Sequence, residues 1–203
     1  MTIPLLFCKR QSVVYKPVVF YLCIGLLINL CIDVVWKYRT LIPQDLNSNN
    51  FLYNLHSIVR FFSFSLFFIR LNQPFLVLLK KIILIAFTIF LVLNFIFFED
   101  FFNYFQFSSR LLSIEAFCLL FYCLQYYLLK IREDIDLKIF TADFWIVTGL
   151  GIYVAINFFI FLLYNELTIR LQSFAIDLWN VHNISFIIFC CFLAKGLYES
   201  CRY

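Results

Sequence analysis

Long apolar runs alternate with short polar segments along all 203 residues of the chain. A helix needs about 20 apolar residues to cross the ~30 Å hydrocarbon core of a membrane. Six runs approach that length, at residues 17–35, 52–69, 82–98, 108–129, 143–164 and 174–197. The segments between them are too short to fold as soluble domains. The pattern predicts one all-α membrane domain over residues 1–203, a bundle of six transmembrane helices with short loops.

Composition supports a membrane protein. The chain is 64% hydrophobic and 14% charged, whereas soluble domains average roughly 45–50% apolar and about 25% charged residues. Phenylalanine, with 29 copies, is the most conspicuous residue. Aromatic side chains repeated on helices are typical of packing, so we interpret them as core and lipid-facing residues.

The distribution of lysine and arginine predicts the orientation of the bundle. If the N-terminus is placed inside, eleven of these residues fall on the inner side, four fall outside, and Arg60 lies within a span. Basic residues in short loops mark the cytoplasmic side, so both termini are expected in the cytoplasm and the protein in the inner (cytoplasmic) membrane. The net charge of +4 suits contact with membrane lipids and requires no nucleic-acid partner.

Polar residues within the spans concentrate in the half of the membrane predicted to face outward. Intramembrane ionisable residues usually face the bundle interior or a water-filled cavity. We therefore predict a polar pocket that opens outward above a dry, phenylalanine-rich inner half, where Gln125 is the main polar exception. The predicted pocket residues are His56, Arg60, Glu115, Asn157, Asp177, Asn180, His182 and Asn183.

Arg60 is the most expensive of these residues to insert. A charged arginine at a helix centre costs roughly 2.5–3.5 kcal/mol on insertion scales. Glu115, at similar depth on the polar stripe of its own span, is the preferred partner, and Asp33 and Asp177 are shallower alternatives. Such a pair has two interpretations, a buried ion pair that fixes packing or a group that binds a ligand or ion.

Metal and catalytic signatures are missing. His56 and His182 could bind a metal together with a carboxylate, but the sequence contains no HExxH, HxxxH or CxxC motif. It also lacks GxSxG, GxGD and EExxxR, the sequences expected of common membrane and hydrolytic enzymes. We therefore predict a protein that is not an enzyme and that uses no metal or other cofactor.

The C-terminal half carries a resemblance to a known family. "DFWIVTGLGIYVAINFFIFLL" (143–163) followed by "LWNVHNI" (178–184) resembles small uncharacterised bacterial inner-membrane proteins, and "YNLHSIVRFF" (53–62) and "SSRLLSIEAFCLLFY" (108–122) are similar to their second and fourth segments. Members typically carry one more helix at the start, and "MTIPLLFCKR" (1–10) looks like its end. Many are encoded beside sensor histidine kinases, which implies an input or accessory role in signalling.

Three functions are compatible with these features. The favoured interpretation is a sensory module that binds a small polar or amphiphilic ligand in the pocket and signals to a membrane partner or sensor kinase through "KIREDIDLK" (130–138) or the C-terminal tail. The alternative is a structural or accessory subunit of a larger membrane complex, and the third is a small transporter or channel. A ligand-sized void among the polar residues would favour the first over the second.

Overall fold

A computed structural model describes residues 12–42, 48–71, 73, 76–103, 106–132 and 141–201. Over these ranges the chain forms helices and no strands. The helices are α1 (Lys16–Lys37), α2 (Asn50–Arg70), α3 (Val77–Phe97), α4 (Ser109–Arg132), α5 (Ala142–Arg170) and α6 (Gln172–Ser200). All six are long and apolar enough to cross a membrane, which confirms the all-helical six-span prediction and indicates a multi-pass membrane protein.

The helices form antiparallel neighbours. α6 packs along α5, α5 along α4, and α1 along α2, while α2 also contacts α3 and α4. A single residue, Leu171, separates α5 from α6. Consequently α1, α3 and α5 finish at the same end of the bundle at which α2, α4 and α6 begin; we call this the pocket end, and the other the opposite end.

Helix ends differ from the predicted spans where polar residues continue a helix. α5 extends six residues beyond the predicted span, to Arg170, and its last turn carries an ion pair between Glu166 and Arg170 at 3.2 Å. Charges of opposite sign at this spacing support a helix after its apolar run has ended.

Aromatic rings fill the bundle between its middle and the opposite end. Phe61 stacks on Phe87 with ring centroids 3.7 Å apart, and Phe64 packs against both Tyr21 and Phe189. These side chains are almost completely buried. They separate the pocket end from the opposite end with a layer of apolar rings, as the phenylalanine-rich sequence predicts.

Lys80 departs from the sequence interpretation. The predicted span begins at residue 82 and leaves Lys80 in the preceding loop, but α3 begins at Val77 and carries Lys80 into the packed bundle, where only 1% of its surface is exposed. Its ammonium group donates to the Phe68 carbonyl oxygen at 3.2 Å and to Gln73 Oε1 at 3.0 Å. These acceptors offset part of the cost of removing the amine from water.

Candidate functional site: a polar cavity at one end of the bundle

A cavity of about 690 Å³ lies between α1, α2, α5 and α6. Asn49, Asn50 and Thr168 line it at the pocket end, and Arg60 lines it about 15 Å further along α2. Its other polar lining residues are Asn29, Asp33, His56, Asn165, Asn180, His182 and Asn183, and its aromatic ones are Trp36, Tyr53, Phe107, Tyr153, Phe161, Tyr164, Trp179 and Phe186.

Five of the eight predicted residues line this cavity: His56, Arg60, Asn180, His182 and Asn183. Glu115 and Asn157 lie behind the wall, where both are fully buried. Asp177 does not line the cavity; it is exposed on α6. At about 100° per residue, the lining residues of α6 span an arc of roughly 160° from Asn180 to His182, and Asp177 lies about 60° outside the Asn180 edge of that arc.

Arg60 and Glu115 form the predicted ion pair. Arg60 Nε donates to Glu115 Oε1 at 2.6 Å, and Arg60 Nη2 donates to Glu115 Oε2 at 2.5 Å. Ser57 adds a hydrogen bond to the same carboxylate, and Arg60 Nη1 donates to the Tyr153 hydroxyl at 2.6 Å. The two-pronged geometry satisfies both charges, so this group ties α2, α4 and α5 together at the bottom of the cavity.

A second hydrogen-bonded group joins α5 to α6. Both polar atoms of the Asn157 amide form hydrogen bonds. Its Oδ1 lies 2.5 Å from His182 Nδ1, and its Nδ2 donates to Ser185 Oγ and to the Tyr153 carbonyl oxygen. The His182 ring packs beside Trp179, with centroids 4.8 Å apart. Asn157 therefore orients the imidazole in the cavity wall, a positioning role seen only once the two helices are paired.

His56 is held more loosely on the other wall. Its Nε2 lies 3.4 Å from the Tyr21 hydroxyl, a long hydrogen bond. A Cβ at Gly25 would stand 3.3 Å from the same nitrogen. The missing side chain at Gly25 thus leaves space for the imidazole between α1 and α2.

The side-chain amides of Asn180 and Asn183 line the cavity but are not held by hydrogen bonds as His56 and His182 are. Neither Asn180 nor Asn183 hydrogen-bonds to any residue in the described ranges, and both are exposed to the cavity. Asp33 likewise forms no ion pair with a described residue. These groups remain available to water or to a ligand, unlike the closed group around Arg60.

Several lining residues were not predicted from the sequence. Asn29 and Asp33 lie one helical turn apart on α1, a spacing that places both on one face, and Trp36 and Trp179 sit near span ends, where tryptophan is common in membrane proteins. Because this position is common for tryptophan, the sequence alone does not identify the two residues as walls of a cavity. Among the described residues, no group of three or more His, Cys, Asp and Glu side chains could hold a metal ion.

Comparison with known proteins does not indicate a function for this chain. No protein-family model, curated protein or solved structure matches the chain. The unpaired polar groups and aromatic walls of the cavity therefore carry the functional interpretation.

Proposed function

We propose that the protein is a non-enzymatic membrane protein that binds a small polar or amphiphilic molecule in the cavity and acts as a sensory input for a signalling partner. The observation that supports ligand binding is the pair of unpaired amides at Asn180 and Asn183. Ligand sites usually enclose roughly 300–1,000 Å³, and this cavity of about 690 Å³ falls within that range.

The unpaired amides favour a binding site over a packing device because they line the cavity. A polar group buried in an apolar setting without a hydrogen bond costs several kcal/mol, and the bundle avoids this cost at Arg60, Glu115 and Asn157 by pairing them. Asn180 and Asn183 are exposed, but within a membrane span they would carry that cost unless water or a ligand reached them. In the empty cavity water would hydrogen-bond to these two amides, and a ligand with matching polar groups would replace that water. Binding of this kind explains why neither amide is paired within the protein.

The orientation and signalling role rest on sequence. The eleven-to-four distribution of basic residues favours a pocket end outside the cytoplasm, so the cavity would sample the external side of the inner membrane. The resemblance to proteins encoded beside sensor kinases supports a kinase or other membrane protein as partner. The segment 130–138 is the proposed contact, and its residues 133–138 lie outside the described ranges.

A second candidate, an accessory subunit of a membrane complex, is favoured by α3. This helix packs only part of its surface within the bundle and exposes Ile82, Ile85 and Ile89. Such a face suits lipid or the helix of a partner. In that case the cavity would be incidental, and access of reagents to Asn183 would not be required.

Thiol labelling tests the cavity. In a variant without native cysteines, Asn183→Cys is expected to react with a membrane-impermeant thiol reagent added outside the cell. The matched control restores Cys190 alone, about 10 Å deeper along α6 and absent from the cavity lining; it is expected to stay unmodified.

The same assay in inside-out vesicles separates two failures. Labelling of position 183 only from the cytoplasmic side would leave the cavity intact and reverse the orientation. Protection from both sides would mean that the polar residues are closed to water, and the accessory-subunit function would replace ligand binding.

A further inference from the structure

The cavity is bordered on one side by two helices that do not pack along each other. In the described part of the chain, α1 packs closely along α2, and α6 along α5, but α1 and α6 have no extended contact. Beneath the cavity they are bridged by side chains, with the Tyr21 and Phe189 rings 6.1 Å apart. The side of the cavity between α1 and α6 is therefore not closed by direct helix packing; we call this side the lateral slot.

Polar side chains line both edges of the lateral slot. Asn29 and Asp33 stand on α1, and Asn180 and Asn183 stand on α6; all four line the cavity. Asn183 lies about 17 Å along α6 from Gln172, and its neighbour Ile184 is 58% exposed. The unpaired amide of Asn183 thus lies next to an exposed apolar side chain that suits contact with lipid hydrocarbon. The headgroup of a membrane-embedded amphiphile would meet the protein at this boundary.

The charges of the lining restrict the headgroup. Arg60 is the one cationic side chain among the described lining residues apart from the histidines, and Glu115 already accepts two of its hydrogen bonds. Asp33 adds a negative charge near the pocket end. An anionic headgroup would therefore meet a carboxylate and no unpaired arginine or lysine.

The remaining polar groups suit hydroxyls. A carboxamide offers both donors and acceptors, as a hydroxyl does, so the unpaired amides of Asn180 and Asn183 can bind hydroxyl groups without any net charge. The rings of Tyr53, Tyr164 and Trp179 form a continuous wall beside them, with Tyr53 and Trp179 centroids 5.3 Å apart and Tyr164 and Trp179 centroids 5.4 Å apart. Flat apolar walls combined with a few oriented polar groups are the usual composition of a small-molecule site.

We propose that the ligand is an amphiphile with an uncharged, multiply hydroxylated headgroup, such as a glycoside, and that it enters through the lateral slot. The headgroup occupies the cavity against Asn180 and Asn183, and the hydrocarbon chain stays in the bilayer between α1 and α6. This inference rests on the proposed ligand-binding function and specifies both the class of ligand and its route.

The three tryptophans provide the assay. Trp36 and Trp179 line the cavity, whereas Trp145 lies near the start of α5 at the opposite end. A Trp145→Phe variant in phosphatidylcholine nanodiscs is expected to show a saturable change in emission on titration with n-dodecyl-β-maltoside. The matched control, Trp36→Phe/Trp179→Phe, retains only Trp145 and is expected to show no saturable change.

Substitution at the slot tests the route. Asn183→Phe, made in the Trp145→Phe background, removes an amide and narrows the slot, and is expected to weaken maltoside binding about tenfold or more, as loss of roughly 1.4 kcal/mol would. Ile184→Phe, one residue away on the exposed apolar side, is expected to bind as the parent does. Asn180→Phe gives a second test at the same edge if Asn183→Phe does not fold.

Two further ligands test the route of entry and the class of headgroup. Saturation by free maltose at the same total concentration would show that the headgroup arrives from water and would overturn the lateral route. Tighter binding of a dodecyl chain with a trimethylammonium headgroup would overturn the uncharged class. If no probe binds while Asn183→Cys remains accessible, this inference fails and ligand binding stands; if Asn183→Cys is protected from both sides, the proposed function itself fails.

Discussion

Arg60 uses three of its nitrogens on groups inside the bundle. Two of them bind Glu115 and the third binds the Tyr153 hydroxyl. Because neither charged side chain has more than 3% of its surface exposed, each depends on the other to offset its removal from water. A buried charge that loses its partner is therefore more harmful to stability than the loss of the whole pair.

A double-mutant cycle measures this dependence. Arg60→Ala and Glu115→Ala are each expected to lower the free energy of unfolding by about 3–5 kcal/mol, less if the membrane-embedded unfolded state supplies new partners. The double variant is expected to lose clearly less than the sum, as followed by thermal unfolding in detergent micelles. Strictly additive losses would contradict the pairing.

The exposed pair of Glu166 and Arg170 is the control for that cycle. Its atoms lie 3.2 Å apart, but the side chains are 68% and 77% exposed. Exposed pairs of this kind contribute about 0.3–0.5 kcal/mol, so the corresponding alanine variants should show little coupling. A coupling as large as that of the buried pair would point to a general effect of removing charge.

The Arg60–Glu115 pair could be predicted because it depends on depth and helix face, which sequence position supplies. The prediction that Asp177 lines the pocket depended instead on how neighbouring helices are placed, which sequence position does not supply. Asp177, Asn180 and Asn183 span about 120° of α6, and only the placement of α5 and α1 decides which part of that arc faces the cavity. Lys80 was misplaced for a related reason, since the start of α3 is set by packing as well as by hydropathy.

At the scale of whole helices, the α5–α6 hairpin depends on glycines at its interface. A Cβ added at Gly149 would lie 2.3 Å from Cβ of Phe192, and one at Gly196 would lie 2.6 Å from Cγ1 of Ile146. Small residues let membrane helices approach closely. These two glycines set the spacing of α5 and α6, and therefore the position of His182 opposite Asn157.

Gly149→Ala is expected to destabilise the protein by about 1–3 kcal/mol, because the extra methyl group overpacks the interface with Phe192. Gly151→Ala is the matched control. Its Cβ would meet its nearest neighbour, Cys123 Cβ, at an ordinary 3.7 Å, and alanine favours a helix over glycine. Equal losses of thermal stability in the two variants would show that the close approach at Gly149 is unimportant.

The existence of six helices followed from hydropathy alone, but their ends and pairing did not. Residues 165–170 are too polar to be counted as part of an apolar run, yet α5 continues through them. Likewise, a glycine within an apolar helix, such as Gly149 or Gly196, is compatible with close packing but does not identify the partner helix. Such contacts between distant segments have no local signal in a single sequence.

Across the whole molecule, polarity is divided between the two ends. The pocket end contains the cavity, and the middle and opposite end contain most of the buried phenylalanines. The sequence predicts which end is polar, because within each helix the position of a residue in the chain gives its depth in the bundle. The volume of the cavity could not be predicted, since it depends on how helices from both ends of the chain, α1, α2, α5 and α6, pack around it.

The orientation of this asymmetric bundle can be tested at the C-terminus. A reporter active only in the cytoplasm, fused to Tyr203, is expected to be active because the basic residues favour the cytoplasmic side. A second fusion at the same residue, with a reporter active only in the periplasm, is expected to be silent. The reverse pattern would place the pocket end in the cytoplasm.

The two longest helices have a consequence for the bilayer itself. α5 and α6 each contain 29 residues, about 44 Å of helix, against a hydrocarbon core of ~30 Å. The hairpin must therefore tilt or extend into the headgroup layer. Because its tip near Leu171 carries one rim of the cavity, membrane thickness would set how deeply that rim is immersed. Thinner and thicker bilayers would then present the same lateral slot to different depths of the lipid leaflet.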